Sequence, residues 1–566
     1  MLRRYLLIPA LIGVFVGLLA VLFVFTLDLI TGLALEGIAG YHQPKPAGEG
    51  GYEGYTLPSN PFLLPFLVAL GGLISGVLTY KFSPESAGVG TDSAIRAYHT
   101  GGRLSLKTSL VKLITSAVTI GTGGTSGREG PIALIGAGVG SWISEVFNLP
   151  RRERRTAIAV GLGSGVAAIF KAPLAGAIIS AEVFFRRDFD AEAMIPSFVA
   201  SITSYTVFCT FFGFQPIFHT SIPDSFTWNP ATLLIYAGLG LICALVVRVY
   251  VWFFFSVRDF FAGLRIPEYL KPAVGGFLAG CVGAVIPVSL GNGYGWIQLF
   301  MDSVLKDPLF ALAGAIAVVL GVSFTIGSGG SGGVFGPSVM IGGLVGAFYS
   351  TAMNSFYGLD LNVPSFIIVG MVSLFGGAAK APLSTLILIA EMTGGYQLLV
   401  PAMVSVFITY FLSGERSIFP SQVNTKLDSP AHVDDWGIYV LEKLRVKDYM
   451  SKPIAVSPET TLDKVYAILT ERLIGGVPVV EGGRLVGIVT KSDLLKVPEE
   501  KRNQIRVLEV MTRDVVTVIP EMSLADALRL MSSKGVGRLP VVSEDGRLVG
   551  IIARADIGRA IRDHLS

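Results

Sequence analysis

Long apolar runs alternate with short polar breaks through the first 425 residues. The longest runs are Leu6–Leu27, Pro61–Tyr80, Ala231–Phe255, Leu309–Phe324 and Ser365–Phe375. Because a helix needs about 20 apolar residues to cross a bilayer, this pattern predicts an all-α domain that crosses the membrane many times. The run after Arg3 and Arg4 is longer than the roughly 7 to 15 apolar residues of a secretory signal, so we interpret it as the first membrane helix.

The pattern changes near Ser429, where charged residues begin to alternate with short apolar strands and helices. Such alternation is typical of a soluble α/β unit. The sequence therefore predicts a membrane domain over 1–425, a linker over 426–443 and two soluble domains over 444–498 and 507–566. Composition agrees, because 15% of the residues are charged and 51% hydrophobic, against about 25% charged in soluble domains. The net charge of +3 is small, and no basic tract with interleaved aromatic residues suggests nucleic acid as a partner.

The membrane domain contains an internal repeat. Thr119–Ser141 and Thr325–Ala347 are identical at 12 of 23 positions at an offset of 206. Lys171–Glu182 and Lys380–Glu391 match at an offset of 209. Two motifs in the same order at nearly equal offsets predict two halves with one plan, over about 60–215 and 265–425.

Charge indicates how the halves are oriented. Arg151–Arg155 holds four arginines, whereas the equivalent stretch Tyr349–Ser365 has no Lys or Arg. Positive charge favours the cytoplasmic side, so the two halves are expected to be inverted relative to each other. The polar loop Tyr41–Asn60 then lies on the external side.

Two helix beginnings carry the candidate chemistry. Gly130-Pro131 and Gly336-Pro337 each open an apolar helix, where proline is favoured because its missing N–H is not needed. Unpaired backbone N–H groups at such an end attract anions through the helix dipole. Two ends that meet from opposite halves would hold an anion without a full positive charge, weakly enough for it to leave again.

Glu129 precedes one of these helix beginnings. A charged side chain at membrane depth costs about 2.5 to 3.5 kcal/mol, so such residues usually face a cavity, a partner or a pathway. We interpret Glu129 as a gate whose carboxylate occupies the anion position when ionised and leaves it when protonated or displaced. The alternative is an ion pair between Arg128 and Glu129 that only satisfies two buried charges.

These motifs resemble those of the CLC family of chloride channels and proton-coupled chloride transporters. GREGP at Gly127–Pro131 and GxFxP at Gly333–Pro337 both match, and the resemblance covers residues 1–425. It implies a homodimer with one pore in each subunit, with Glu129 as gating glutamate and the amides of Val334 and Phe335 as anion ligands. Chloride or another small anion is the implied substrate.

The chain departs from the family pattern at three positions. Val89 stands in Gly88-Val89-Gly90 where the family has a serine, and Phe419 stands where it has a pore tyrosine. Both losses predict weaker anion binding by side chains. Val183 stands where proton-coupled members carry an internal glutamate, which favours passive conduction. Proton-coupled antiport is the alternative, since Glu182 offers a substitute proton route; Glu182 is equally well explained as a helix cap.

The soluble region also repeats. Gly483–Ile488 recurs as Gly546–Ile551 at an offset of 63. The region resembles a tandem pair of CBS domains, which can bind ATP, ADP or AMP as a regulatory ligand in a cleft where a Ser/Thr and an Asp meet the nucleotide. The first copy has both residues, as Thr490 and Asp493. The second copy has Asp556 but Ala553 in place of the threonine, so at most one good site is expected. Dimerisation and packing alone are the other interpretation of the pair.

Other classes fit less well. An intramembrane enzyme would need a nucleophile or metal ligands beside Glu129 or Glu182, and a divalent-cation transporter would need more inward acids. We predict no enzyme activity, no metal site, no required cofactor, and a multi-pass cell-membrane protein in the lipid bilayer with cytoplasmic CBS domains. The candidate residues are Glu129 as gate; Gly88, Val89, Gly90, Arg128, Gly130, Val334, Phe335 and Phe419 at the anion; Glu182 for protons; and Thr490, Asp493 and Asp556 for nucleotide.

Overall fold

A computed structural model describes residues 3–220, 222, 228–432, 440–472 and 474–565. The chain divides at 431/432 into two compact units. The predicted linker over 426–443 includes residues 433–439, which lie outside the described residues.

The first unit is helical, and its helices follow the apolar runs. In its first part the helices are α1 Ile8–Thr31, α2 Leu64–Phe82, α3 Gly90–Thr100, α4 Leu106–Gly121, α5 Glu129–Val146, α6 Arg151–Ile169, α7 Pro173–Glu182 and α8 Ala191–Phe212. In its second part they are α9 Pro230–Gly263, α10 Lys271–Val285, α11 Tyr294–Met301, α12 Pro308–Gly327, α13 Phe335–Tyr357, α14 Val363–Ala379, α15 Pro382–Thr393 and α16 Leu399–Leu412.

Five of these helices are long and apolar enough to cross a membrane by length and composition, counted over the described residues. They include Ala191–Phe212, which the longest apolar runs did not single out. The predicted run Ser365–Phe375 lies inside Val363–Ala379, which is one of the shorter apolar helices. This helix, α14, is almost wholly buried, and most residues of α5, α6 and α13 are buried as well, so these four helices build the interior of the unit.

Two glutamates reveal how the halves are related. Glu182, at the end of α7, accepts hydrogen bonds from the backbone N–H groups of Leu383 and Ser384 at the start of α15, at 2.9 and 2.7 Å. Glu391, near the end of α15, accepts in turn from the backbone N–H groups at the start of α7, at 3.0 and 2.8 Å. Each helix therefore ends where its counterpart begins, so the equivalent helices run antiparallel. This reciprocity is the local signature of two inverted halves.

Two lysines repeat in the same way. Lys171 follows α6 and Lys380 follows α14, both with positive φ, at 53° and 57°. The Lys171 ammonium donates to Phe212 O at the end of α8, at 2.9 Å. The Lys380 ammonium donates to Tyr410 O near the end of α16, at 3.2 Å. Cations suit the carbonyl end of a helix, so each half uses its lysine to cap its own last helix.

The second unit contains two similar α/β modules. In one, β1 Gly476–Glu481 pairs antiparallel with β2 Arg484–Thr490; in the other, β3 Arg538–Val542 pairs antiparallel with β4 Leu548–Ala553. The longest helices are Leu462–Glu471, Leu524–Ser533 and Arg554–Leu565, and the short ones are Val446–Tyr449, Lys491–Leu494 and Val507–Val510. Each module has its own apolar core.

Candidate functional site

Three glycine-rich segments, far apart in sequence, meet inside the membrane unit. The Gly127 N–H donates to Gly333 O at 3.0 Å, and the Gly90 N–H donates to Gly332 O at 3.2 Å. A Cβ atom on Gly90 would lie 2.4 Å from Gly130 O, closer than any real side chain tolerates. The predicted residues Gly88, Val89, Gly90 and Gly130 are thus brought together with the segment that carries Val334 and Phe335.

The two helix beginnings lie in this junction. α5 begins at Glu129 and α13 at Phe335, each two residues before the proline. The Phe335 ring packs between Phe170 and Phe375, with centroids 4.7 and 3.6 Å away. The first N–H groups of both helices have no partner within their own helix, so the junction presents two positive helix ends.

Glu129 lies at this junction and is fully buried. Its Oε1 accepts a hydrogen bond from the Tyr294 hydroxyl at 2.7 Å. Its Oε2 has no hydrogen-bond partner among the described residues. A Cβ atom on Gly336 would lie 2.7 Å from that oxygen, which places the carboxylate against the start of α13. The carboxylate of one half therefore lies at the helix end of the other.

Arg128 is not the partner of Glu129 in the described ion pairs. Its guanidinium pairs instead with Glu49, from the loop between α1 and α2. The alternative in which Arg128 and Glu129 merely neutralise each other therefore lacks the contact it requires.

A buried lysine that belongs to none of the sequence motifs also lies at the junction. The Lys112 ammonium, on α4, donates to Gly88 O at 2.7 Å and to Ser86 O at 3.0 Å. Its side chain is fully buried. The expectation that the helix ends hold an anion without a full positive charge stays a prediction, and Lys112 is the cationic side chain nearest to the Gly88–Gly90 segment in the described hydrogen bonds. α4 has two lysines, the exposed Lys107 in its first turn and Lys112, and the position of Lys112 among apolar residues was the signal in the sequence.

Tyr294 and Glu49 were not predicted from the sequence either, because each lies far along the chain from its partner. Tyr294 is 165 positions from Glu129, and Glu49 is 79 positions from Arg128. Neither belongs to a motif. The polar loop Tyr41–Asn60 gave only the general hint that charged groups gather on one side.

On another side of the junction lies a cavity of about 220 Å³, whose lining includes Gly88, Val89, Ile418 and Pro420. Phe419 is fully buried between these last two residues, and its N–H donates to Ser417 Oγ at 3.1 Å. Val89 and Phe419 both have hydrocarbon side chains, so neither side chain can donate a hydrogen bond to an anion.

Glu182 lies apart from the junction, in the reciprocal caps that join α7 to α15. Besides the two backbone bonds, it accepts from Ser384 Oγ at 2.6 Å. Val183 next to it is buried and apolar. The structure thus gives Glu182 the capping contacts of the alternative interpretation, while its proton role stays a prediction.

The nucleotide candidates lie where a helix follows a strand, with Asp493 in Lys491–Leu494 and Asp556 in Arg554–Leu565. Asp493 Oδ2 accepts from the Thr490 hydroxyl at 2.7 Å and from the Thr490 N–H at 3.1 Å, forming a capping box. Asp556 accepts from the Ala553 N–H at 2.9 Å. Burial raises the pKa of Asp493, but hydrogen bonds from Thr490 and Lys496 outweigh it and hold the pKa below its ordinary value. Both aspartates thus have a local structural role.

Residues with no part in the junction can be set aside. Cys209 and Cys243 are buried, Cys281 is half-buried, and all three are free thiols. Within the described ranges, no group of three His, Cys, Asp or Glu side chains is placed to hold a metal ion.

Inverted helical halves that meet at paired helix beginnings define a polytopic membrane protein of the transporter-like class. The model of the voltage gated chloride channel family matches residues 71–414, and the CBS domain model matches 446–500 and 507–563. The chain belongs to the voltage gated chloride channel family and carries a tandem CBS pair at its C-terminal end.

Individual relatives agree with this assignment. The voltage-gated ClC-type chloride channel ClcB of Salmonella typhimurium is 29% identical over 419 residues, which is 72% of this chain and 96% of that protein. A slow cyanobacterial Cl-/H+ antiporter superposes with a TM-score of 0.63 at 21% identity, covering 74% of this chain and 96% of the other. A eukaryotic CLC transporter superposes with a TM-score of 0.55 at 19% identity and covers 98% of both chains. The similarity to the two structures concerns the fold.

Proposed function

We propose that the membrane unit transports chloride or another small anion along a path that passes Glu129. The observation that carries this proposal is the carboxylate at the start of α13, with Oε2 lacking a hydrogen-bond partner among the described residues. A negative side chain at a positive helix end fills the place that a free anion would take. Glu129 therefore acts as a gate that competes with the transported anion.

The surroundings support a site for an ion that must also leave. Backbone N–H groups of α5 and α13 supply partial charge, while the Lys112 ammonium is already bonded to two carbonyl oxygens. An anion at the junction would thus be attracted by Lys112 without replacing those bonds. An anion attracted by partial charges and by a lysine that stays bonded to carbonyl oxygens is held weakly enough to enter the site and to leave it.

Flux measurements test the proposal. Full-length protein in liposomes is expected to release chloride down a gradient, and Glu129→Gln is expected to remove the dependence of that flux on pH. Glu145→Gln is the matched control, because Glu145 lies on the same helix with a side chain 41% exposed. Absence of chloride flux in the wild type would refute the proposal. An unaltered pH profile in Glu129→Gln would refute the gate.

Passive conduction is the mode that the residues favour, with Val183 and the capped Glu182 as support. Proton-coupled antiport is the second candidate, because a solved structure with this fold is described as a Cl-/H+ antiporter. A chloride gradient imposed on the liposomes separates the two. Uphill proton movement would establish antiport, whereas verified chloride flux without it would establish passive conduction.

The remaining assignments belong to the same proposal. The protein would be a homodimer in the cell membrane, with one pathway in each subunit and the CBS pair in the cytoplasm. An adenine nucleotide would bind at Thr490 and Asp493, in exchange for the bond that these side chains now make to each other. Calorimetry of the full chain with ATP and AMP tests this; no heat with either would refute it.

A further inference from the structure

The loop between α1 and α2 covers a second cavity beside the junction. This cavity has a volume of about 320 Å³, and its lining includes Asp28, Lys45, Glu49, Arg128, Lys171 and Tyr294. Tyr294 and Arg128 connect it to Glu129, through the hydrogen bond of the tyrosine and through the peptide bond of the arginine. An ion in this cavity is therefore next to the proposed gate.

Backbone contacts fix the loop in place. The Gly48 N–H donates to Ile217 O at 2.9 Å, and Lys171 Nζ donates to Gly48 O at 3.1 Å. A Cβ atom on Gly48 would lie 1.9 Å from Pro216 O, so the backbones of these two segments are in direct contact. The position of Glu49 is thus set by its neighbours, and a substitution of its side chain leaves the loop anchored.

The side chain of Glu49 binds Arg128, whose own side chain is 7% exposed. Arg128 Nε has no hydrogen-bond partner among the described residues, so the guanidinium retains an unused donor. Of the acids described, Glu49 is the one within ion-pair distance of Arg128. The other acids of the cavity pair elsewhere, Asp28 with Lys45 at 4.0 Å and Glu36 with His42 at 3.9 Å.

We propose that Arg128 is an outer anion-binding residue and that Glu49 is its tethered competitor. An anion that enters the cavity replaces the Glu49 carboxylate on the guanidinium before it meets Glu129. Because a tethered carboxylate competes with the free ion, Glu49 lowers the affinity for anions on the loop-bearing face. That face is the extracellular one in the orientation given by Arg151–Arg155. The inference rests on the proposed anion transport.

Uptake of radiolabelled chloride can be measured for each face of the full-length protein separately. In intact cells the added chloride meets the extracellular face, and in inverted membrane vesicles it meets the cytoplasmic face. Glu49→Gln is expected to lower the half-saturating chloride concentration about fivefold in intact cells, a change typical of one partly buried ion pair. The concentration in inverted vesicles is expected to stay unchanged. Glu49→Asp, which keeps the charge, should resemble the wild type.

Two controls separate competition from a general effect of charge. Glu36→Gln removes a charge from the same cavity, and Glu53→Gln removes an exposed charge from the same loop. Both are expected to leave the half-saturating concentration near the wild-type value. Equal shifts in all three variants, no shift in Glu49→Gln, or a shift confined to inverted vesicles would each overturn the proposal.

A reagent test applies to protein that is already folded. In Glu49→Cys, a negatively charged thiol reagent should raise the half-saturating concentration again, whereas a neutral reagent of similar size should not. The wild type treated in parallel accounts for Cys281. Equal effects of both reagents would overturn the proposal. If the wild type moves no chloride at all, the proposed function has failed, and not the assignment of Glu49.

Discussion

The hydrogen bond from Tyr294 to Glu129 makes a quantitative prediction about the gate. Tyr294→Phe removes one hydroxyl and keeps the ring, which packs against Phe218 with centroids 5.7 Å apart. The bond joins two buried side chains at 2.7 Å and has an acidic acceptor. Hydrogen bonds to charged groups contribute about 1.5 to 3 kcal/mol. The ratio of seated to displaced carboxylate should therefore fall by about 13- to 160-fold, since 1.36 kcal/mol is a factor of ten.

Chloride release from liposomes measures this change. At a pH where the gate is ionised, Tyr294→Phe should release chloride faster than the wild type and saturate at a lower chloride concentration. Tyr236→Phe is the matched control, because the Tyr236 hydroxyl is buried and shares a 2.7 Å hydrogen bond with Ser365 Oγ away from the gate. If Tyr294→Phe equals the wild type, or if Tyr236→Phe has the same effect, the hydroxyl does not hold the gate.

Other substitutions test the supports of the junction. Lys112→Met should weaken chloride binding in calorimetry and lower the unfolding temperature, because it removes the ammonium and its two hydrogen bonds, at about 1 to 3 kcal/mol for each. Gly88 O and Ser86 O then keep only the longer bonds from the Gly332 N–H at 3.3 Å and from Ser331 Oγ at 3.4 Å. Glu182→Ala and Glu391→Ala should destabilise the protein by similar amounts in thermal unfolding, about 1 to 2 kcal/mol each, because each removes one helix cap. Thr490→Ala should speed hydrogen exchange in Lys491–Leu494. The contribution of Asp493 to local stability should be complete above its unfolded pKa of about 4 and be lost as the pH falls through its lowered folded pKa.

Each of these predictions has its own control or contrary result. Lys107→Met changes an exposed lysine on the same helix and should bind chloride like the wild type. A large asymmetry between Glu182→Ala and Glu391→Ala would argue against equivalent caps and would favour a separate role for Glu182. Unchanged exchange in Thr490→Ala would mean that the capping box does not hold this helix.

The architecture could be predicted because it depends on short sequence patterns that recur along the chain. The repeated motifs located both helix beginnings to within a residue or two, since the Gly-Pro pairs fix where each helix opens. The repeat predicted two equivalent halves, and the arginines of Arg151–Arg155 predicted their inversion, which agrees with the contacts of Glu182 and Glu391 in the structure. Repeated strands and turns likewise located the two CBS modules.

The surroundings of the gate could not be predicted, because they come from tertiary contacts between unrelated segments. Glu49 reaches Arg128 from a loop whose sequence shows only polarity. Tyr294 is the first residue of a short apolar helix, and nothing in the sequence of that helix indicates that the tyrosine hydroxyl donates a hydrogen bond to Glu129. Lys112 belongs to none of the motifs, and only the folded chain shows that its ammonium donates to the carbonyl oxygens of Ser86 and Gly88.

Chloride binding to purified full-length protein tests the central claim most directly, since the claim is that the Glu129 carboxylate occupies an anion site. Glu129→Ala empties that site without touching the N–H groups of α13 or the Lys112 ammonium. Calorimetry should then show tighter chloride binding to Glu129→Ala than to the wild type at neutral pH, and equal binding to Glu145→Ala and the wild type. Equal chloride affinity in Glu129→Ala and the wild type would contradict the claim.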